Sequence, residues 1–421
     1  MPRLTTLLRR LLLPVLAGLA CSAALQAQPA PPAAGAGSSV VVKLQPDGHG
    51  ALLDGVQLVP IASIDVRPEV LDRPLVSPDG RRAYVGSRTG WITQLDLPSG
   101  RVVGEVQVAR DLRALALGGD GRWLLAAGDE PPTLALFDAD LARVKTFALT
   151  SLDGKAASRV AGLRHALRRG SFIVALADLP EVWEISLDPQ AAPIYDGLVH
   201  DYRMGEAIAR SGFLGVRRTP LAEPLHGFIL DPDERHLIGA RAPRGDQPVV
   251  LVVNLDARVA VAGLAASGRP RLDAAAAFTC QGRPFLASVN GGAPVVDVFD
   301  LKAWKRARSI AIPAPAAFAG SHEASKSFWI GTEGAGLRLI DKCTLEPVAE
   351  VRLPDGATVA QAFSPDGRRL LIGTRGPDAL LVYDLERPGQ TARQVLPSPP
   401  EARDGDPNGD EAATPAPPHS P

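Results

Sequence analysis

The chain has 421 residues, 46% of them hydrophobic, and 45 Lys and Arg stand against 46 Asp and Glu for a formal net charge of −1. That apolar content fills a large core and excludes disorder of the chain as a whole. The even balance of charge excludes nucleic-acid binding through a general electrostatic field.

Taken in chain order, residues 1–27 carry Arg3, Arg9 and Arg10, then an apolar run from Leu11 to Ala20, then small residues at Ala23, Ala24 and Ala27. This is the pattern of a secretory signal peptide, with cleavage expected near Ala27 and a periplasmic mature protein. The apolar run is too short for a stable membrane span, and none longer follows. Lipid attachment at Cys21 is the alternative, against which Gly18 occupies a place where lipoprotein signals normally carry a larger aliphatic residue. Residues 28–39 form a Pro/Ala/Gly linker and residues 397–421 a Pro-, Asp- and Glu-rich tail. Both lack the apolar content to pack and are expected to be mobile.

Between them, residues 40–396 repeat a unit. Ser77-Pro78-Asp79-Gly80-Arg81-Arg82 returns as Gly119-Asp120-Gly121-Arg122 and again as Ser364-Pro365-Asp366-Gly367-Arg368-Arg369, each followed by an apolar strand. Pro-Asp-Gly between two strands is a tight hairpin turn, because proline presets φ and glycine accepts positive φ. Each unit then ends a strand in aspartate, at Asp96, Asp138, Asp188, Asp256, Asp300, Asp341 and Asp384. A recurrence of roughly 40 to 45 residues with four short strands per unit predicts an all-β, eight-bladed β-propeller. Seven blades is the fallback, should the segment from Val40 to Val66 merely complete the last blade.

The innermost strand of each blade lines the channel, and its first residues face one mouth. Those positions read Asp72 and Arg73, Arg113, Arg159, His226, Arg271 with Asp273, and Ala360 or Gln361. A polar rim accords with a water-filled channel. It also accords with a site for a flat polyanion, since guanidinium forks take carboxylates through two parallel hydrogen bonds.

The longest insertion in the series holds Val199-His200-Asp201-Tyr202-Arg203-Met204-Gly205-Glu206. His200 can ligate iron while a neighbouring carboxylate orients its other nitrogen, or it can simply bond Asp201 or Glu206. Tyr202 can hydrogen-bond a ligand or pack on a blade edge. Arg203 can pair a ligand carboxylate or Glu206, and Met204 is a weak axial candidate. His322, after Ser321 at a hairpin, can reach the mouth; His165 and His236 read as exposed turn residues. The mature chain keeps Cys280 and Cys343 in different units, so a disulfide between them is left open. No Cys-x-x-Cys-His occurs, which excludes covalent c-type haem. Phosphate-loop, calcium-loop and Gly-x-Ser-x-Gly patterns are also missing, and Asp231-Pro232-Asp233-Glu234 reads as turn capping.

Pro180-Glu181-Val182-Trp183-Glu184-Ile185-Ser186, Tyr195-Asp196-Gly197-Leu198-Val199-His200-Asp201-Tyr202-Arg203-Met204-Gly205-Glu206, Arg235-His236-Leu237-Ile238-Gly239-Ala240 and Asp341-Lys342-Cys343-Thr344-Leu345-Glu346 resemble the haem d1 propeller family. That family includes the d1 domain of cytochrome cd1 nitrite reductase and the NirF- and NirN-like proteins of haem d1 assembly. The resemblance spans roughly residues 40–396 and is closest to the NirF/NirN-like branch, without a cytochrome c domain. It implies a non-covalent haem d1 or dihydro-haem d1 ligand, with Arg113 and Arg159 at the family's inner-strand arginines and His322 on a family histidine; Arg203 and Arg271 join them as cofactor-binding candidates on their own chemistry and position. It also implies His200 as the iron-side residue with Tyr202 beside it, and activity as a dihydro-haem d1 dehydrogenase-type oxidoreductase or a delivery protein. Implied partners are nitrite reductase or other maturation proteins and an external electron acceptor. Family histidines are replaced at Pro68-Glu69-Val70-Leu71-Asp72, at Gly128-Asp129-Glu130-Pro131-Pro132, at Pro270-Arg271-Leu272-Asp273 and near Ala360. Those losses support the rival reading, a propeller kept as an interaction scaffold without cofactor, and they argue against nitrite reduction, which needs paired proton-donating histidines.

Overall fold

The computed structural model describes residues 40–44, 47–54, 60–71, 73–195, 209–242, 249–332, 336–352, 357–363, 368–374, 379–384 and 391–395. The expected leader, linker and tail, Asp72, and the third Pro-Asp-Gly turn lie outside them. Among the described residues every regular element is a strand, and the 31 strands form eight antiparallel sheets.

The first sheet has three strands, Val40–Leu44, His49–Asp54 and Pro60–Asp65. It stands as a sheet of its own rather than joining the last one. The other seven, over residues 75–107, 112–147, 160–220, 227–264, 269–311, 316–351 and 357–395, have four strands each, paired in chain order. Hydrophobic clusters join each sheet to the next. Leu52 and Ile64 pack with Ala83, Val85 and Leu95, Tyr84 packs with Leu124 and Ala126, and Leu125 and Leu134 pack with Phe172 and Val174. The series runs on through the later sheets until Leu53 meets Leu371 and Val382 of the last one. The ring closes, and the chain is a β-propeller.

The pattern of apolar residues follows from this packing. Middle strands are covered on both faces, so Ser171–Leu176 is buried along its whole length, whereas outer strands such as Arg101–Gln107 and Lys305–Ala311 are largely exposed. First strands of successive sheets touch one another, as Leu112–Leu117 does Val160–Ala166 and Arg269–Cys280 does Ala316–Ser321, so they line the axis.

The repeated turn residues are turn chemistry. Gly80 and Gly121 sit at φ of 67° and 71°, and Ser77 donates through Oγ to Asp79. The aspartates that end third strands cap the next turn: Asp138 Oδ1 accepts the amides of Asp140 and Ala142, and Asp341 Oδ1 those of Cys343 and Thr344. Cys280 and Cys343 do meet, in a disulfide that ties the sixth sheet to the seventh with Cα atoms 5.2 Å apart.

Antiparallel order gives the ring two distinct mouths. First strands begin, and second strands turn into third strands, at an entry mouth. The Pro-Asp-Gly turns and the third-to-fourth-strand turns lie at the far mouth.

Candidate functional site

Three of the candidate arginines gather at the entry mouth. Arg113 is the second residue of Leu112–Leu117, Arg159 directly precedes Val160–Ala166, and Arg271 lies near the start of Arg269–Cys280, at a break in strand register. His226 opens Gly227–Leu230 at the same mouth, is exposed, and donates its amide to Ala240 O at 2.8 Å.

Each arginine meets carboxylates of its own sheet. Arg113 Nε lies 3.0 Å from Asp111 Oδ2 and 2.8 Å from Asp129 Oδ2. Asp111 Oδ1 also accepts the amides of Asp129 and Glu130, at 2.9 and 3.0 Å, which fixes the turn that carries Asp129. Gly128 permits this approach, because a Cβ there would stand 2.5 Å from Asp111 O. Arg159 is held differently. Its Nε and Nη2 both donate to Asp178, at 3.0 and 2.8 Å, and its amide donates to the same carboxylate. The hydrogen bond from Arg159 holds the Asp178 carboxyl below the usual range, and Asp178 in turn raises Arg159. Asp129 adds a smaller upward pull on Arg159, so the two sheets are coupled electrostatically across their boundary. Arg271 Nη2 donates to Asp273 at 3.1 Å, both side chains being exposed.

His322 stands elsewhere. It follows Ala316–Ser321, so it lies at the end of an innermost strand and at the far mouth. Its Nδ1 accepts the Ala324 amide at 3.2 Å, and buried Lys342 donates to its carbonyl at 2.7 Å. Burial pushes the Lys342 ammonium down from its ordinary value. The insertion also leaves and rejoins its sheet at the far mouth, between Glu181–Ser186 and Val216–Pro220. An Ile194–Arg210 bridge closes its base, Lys145 donates to Leu214 O at 2.6 Å, and Phe213 packs edge-on to Trp123. His200, Tyr202, Arg203 and Met204 lie outside the described residues. The structure therefore brings Arg113, Arg159 and Arg271 to one mouth and sets His322 and both feet of the insertion at the other.

Two histidines differ from their sequence reading as exposed turn residues. His165 lies within Val160–Ala166, half-buried against Phe172, and its Nε2 accepts the Gly119 amide at 3.1 Å. His236 begins a strand and bonds Asp231 at 2.8 Å through Nδ1, with Asn254 on its other nitrogen. Strand packing and turn capping, which adjacent arginines do not reveal, decide both. Sequence reasoning also missed Asp111, Asp129 and Asp178. The signal was a second strand running into aspartate in two successive units, at Gly128-Asp129 and Ala177-Asp178.

Among the described residues no cluster of His, Cys, Asp and Glu could hold a metal ion, and no helix is long and apolar enough to cross a membrane.

The family model described as Cytochrome D1 heme domain matches residues 35–194 and 211–400. The match passes over residues 195–210, so it lends no support to the segment with His200. Dihydro-heme d1 dehydrogenase of Pseudomonas aeruginosa is 35% identical over 346 residues, covering 80% of this chain and 65% of that protein. This chain thus spans about two thirds of that relative's length. Protein NirF of Pseudomonas aeruginosa is 25% identical over 369 residues, with 85% and 88% covered. A solved structure described as dihydro-heme d1 dehydrogenase NirN in complex with DHE superposes with TM-score 0.72 at 33% identity, over 86% of this chain and 74% of that one.

Proposed function

The chain belongs to the cytochrome D1 heme domain family, and from that membership we propose that it binds haem d1 or its dihydro precursor without a covalent link. Its role in this reading is haem d1 maturation, or delivery of the cofactor to nitrite reductase, in the periplasm. The observation that carries the reading is the likeness, at TM-score 0.72 and 33% identity, to a structure solved in complex with DHE. The leader-like residues 1–27 support export.

The donor set at the entry mouth fits a tetrapyrrole bearing carboxylates. Arg113 and Arg271 are about half exposed, and neither spends both ends of its guanidinium on a neighbouring aspartate. They can each take a carboxylate in two parallel hydrogen bonds and so fix the macrocycle's orientation. For the iron the chain offers His226, which opens an innermost strand at that mouth; the sequence-based candidates His200, Tyr202 and Arg203 belong to the insertion whose described feet stand at the far mouth. When bound, the macrocycle supplies the redox chemistry, and the protein supplies orientation and electrostatics. Redox turnover in this reading uses an external electron acceptor.

Titration of the purified, micromolar protein with dihydro-haem d1, followed by absorption, tests this. A saturable change at one equivalent is expected, and an unchanged ligand spectrum ends the proposal. The scaffold reading draws on the aspartates already paired with the rim arginines. It predicts that unchanged spectrum, together with a colourless preparation from cells that make haem d1.

A further inference from the structure

The entry mouth treats its arginines unequally. Arg159 commits Nε and Nη2 to the two oxygens of Asp178 and its amide to one of them. Its side edge is therefore occupied, while among the described residues Nη1 donates no hydrogen bond. Arg113 is held only at the inner side of its guanidinium, with Nε between Asp111 Oδ2 and Asp129 Oδ2 at 3.0 and 2.8 Å. Among the described residues its two terminal nitrogens donate no hydrogen bond. Asp111 is itself locked by the amides of Asp129 and Glu130. Asp129 is nearly buried, and its Oδ1 accepts no hydrogen bond among the described residues. A buried carboxylate oxygen left without a donor is costly. Its presence fits a residue whose other oxygen has the specific task of aiming a neighbour.

We propose that Asp111 and Asp129 are positioning residues that hold Arg113 by Nε with its terminal edge turned to the channel. The mouth then takes its ligand through an aimed guanidinium fork rather than through a general positive field. Around Arg113 and Arg159 two guanidinium groups face three carboxylates, those of Asp111, Asp129 and Asp178. A carboxylate is bound there by geometry, because the anchored Nε leaves two N–H groups parallel and outward, matching the two oxygens of one carboxylate. This inference rests on the proposed ligand being a carboxylated macrocycle, and the test separates the two ideas.

Two probes are used on the full chain: dihydro-haem d1, and benzenehexacarboxylate as a polycarboxylate without a metal or a macrocycle. Dissociation constants are measured across ionic strength for wild type, Arg113→Ala, Asp129→Asn and the Arg113→Ala/Asp129→Asn pair, with thermal melts to confirm folding. Arg113→Ala is expected to weaken both probes about tenfold or more, the loss of one bidentate charge-assisted contact. Asp129→Asn is expected to weaken both several-fold in the wild-type background and to have no effect once Arg113 is gone. A merely structural role for Asp129 would act equally in both backgrounds. Independent effects of Asp129 and Arg113 would overturn the inference. If benzenehexacarboxylate follows the expected pattern while dihydro-haem d1 fails to bind, only the functional proposal falls. If neither probe binds the wild type, both fall.

Discussion

Asp178 receives the Arg159 guanidinium through both of its oxygens, Nε at 3.0 Å and Nη2 at 2.8 Å, and takes the Arg159 amide as well. One carboxylate thus fixes the side chain and the backbone at the point where a first strand enters the channel wall. The carboxyl of Asp178 should titrate below its ordinary value of 3.8, with the Arg159 hydrogen bond as the first cause. A folded-state value below the unfolded one contributes stability that is present above the unfolded value and is lost as pH falls through the folded one. Side-chain carbon NMR of the Asp178 resonance should show this, and Arg159→Ala should move the titration back up. An unmoved titration in Arg159→Ala would remove the coupling.

His165 runs the other way in charge but the same way in pH. Burial is the first cause that lowers its pKa from the ordinary 6.5, against upward pulls from Glu234 and Asp120. The neutral ring accepts the Gly119 amide. Stability is therefore complete above the unfolded value and falls as pH drops below it, because the unfolded chain then binds the proton more readily. Melting temperature should drop between pH 7 and pH 5 less steeply in His165→Gln than in wild type. Equal slopes would assign the acid sensitivity to other groups.

The Cys280–Cys343 bridge closes a loop of 63 residues between the sixth and seventh sheets. Chain-entropy arguments give about 4 kcal/mol for a loop of that size, and measured losses commonly run about 2–4 kcal/mol. Replacing both cysteines by serine should lower the unfolding free energy by that amount in denaturant titration. A variant as stable as wild type would mean that the reduced chain is already held by packing across this boundary.

Phe328 is fully buried and stacks on Phe278, with ring centroids 4.7 Å apart, across the boundary of the sixth and seventh sheets. Phe328→Ala should cost about 3–5 kcal/mol through lost burial and the cavity left behind. A cost near 1 kcal/mol would show that neighbouring sheets slide in to fill the space.

Gly128 sets the spacing of the entry mouth. A methyl group there meets both Asp111 O and Ala109 Cβ at 2.5 Å. Gly128→Ala should therefore destabilise the fold by about 1–3 kcal/mol, as overpacking does. It should also loosen the Asp111–Asp129 arrangement around Arg113. Unchanged stability with unchanged ligand affinity would show that this approach carries no function.

Much of the architecture was legible in the chain, and the reasons are local. Gly80 and Gly121 need positive φ, and Asp138 and Asp341 cap turns through nearby amides, so each leaves a mark at fixed spacing. The entry-mouth positions of Arg113, Arg159 and Arg271 followed from counting back from those turns. The ion pairs did not follow. Asp111, Asp129 and Asp178 reach their arginines through sheet pairing and through turns whose conformation no short motif announces. The same holds for His322, whose hairpin placed it on an innermost strand but whose mouth is decided by strand direction. The disulfide joins residues 63 apart across a sheet boundary, a contact made by ring closure rather than by any local pattern.

The most direct test of the central claim is a structure of the protein crystallised with dihydro-haem d1. The macrocycle is expected at the entry mouth, with a carboxylate within hydrogen-bonding distance of both terminal nitrogens of Arg113 and with Arg159 still on Asp178. A macrocycle seated at the far mouth beside His322, leaving Arg113 without a ligand contact, would contradict it.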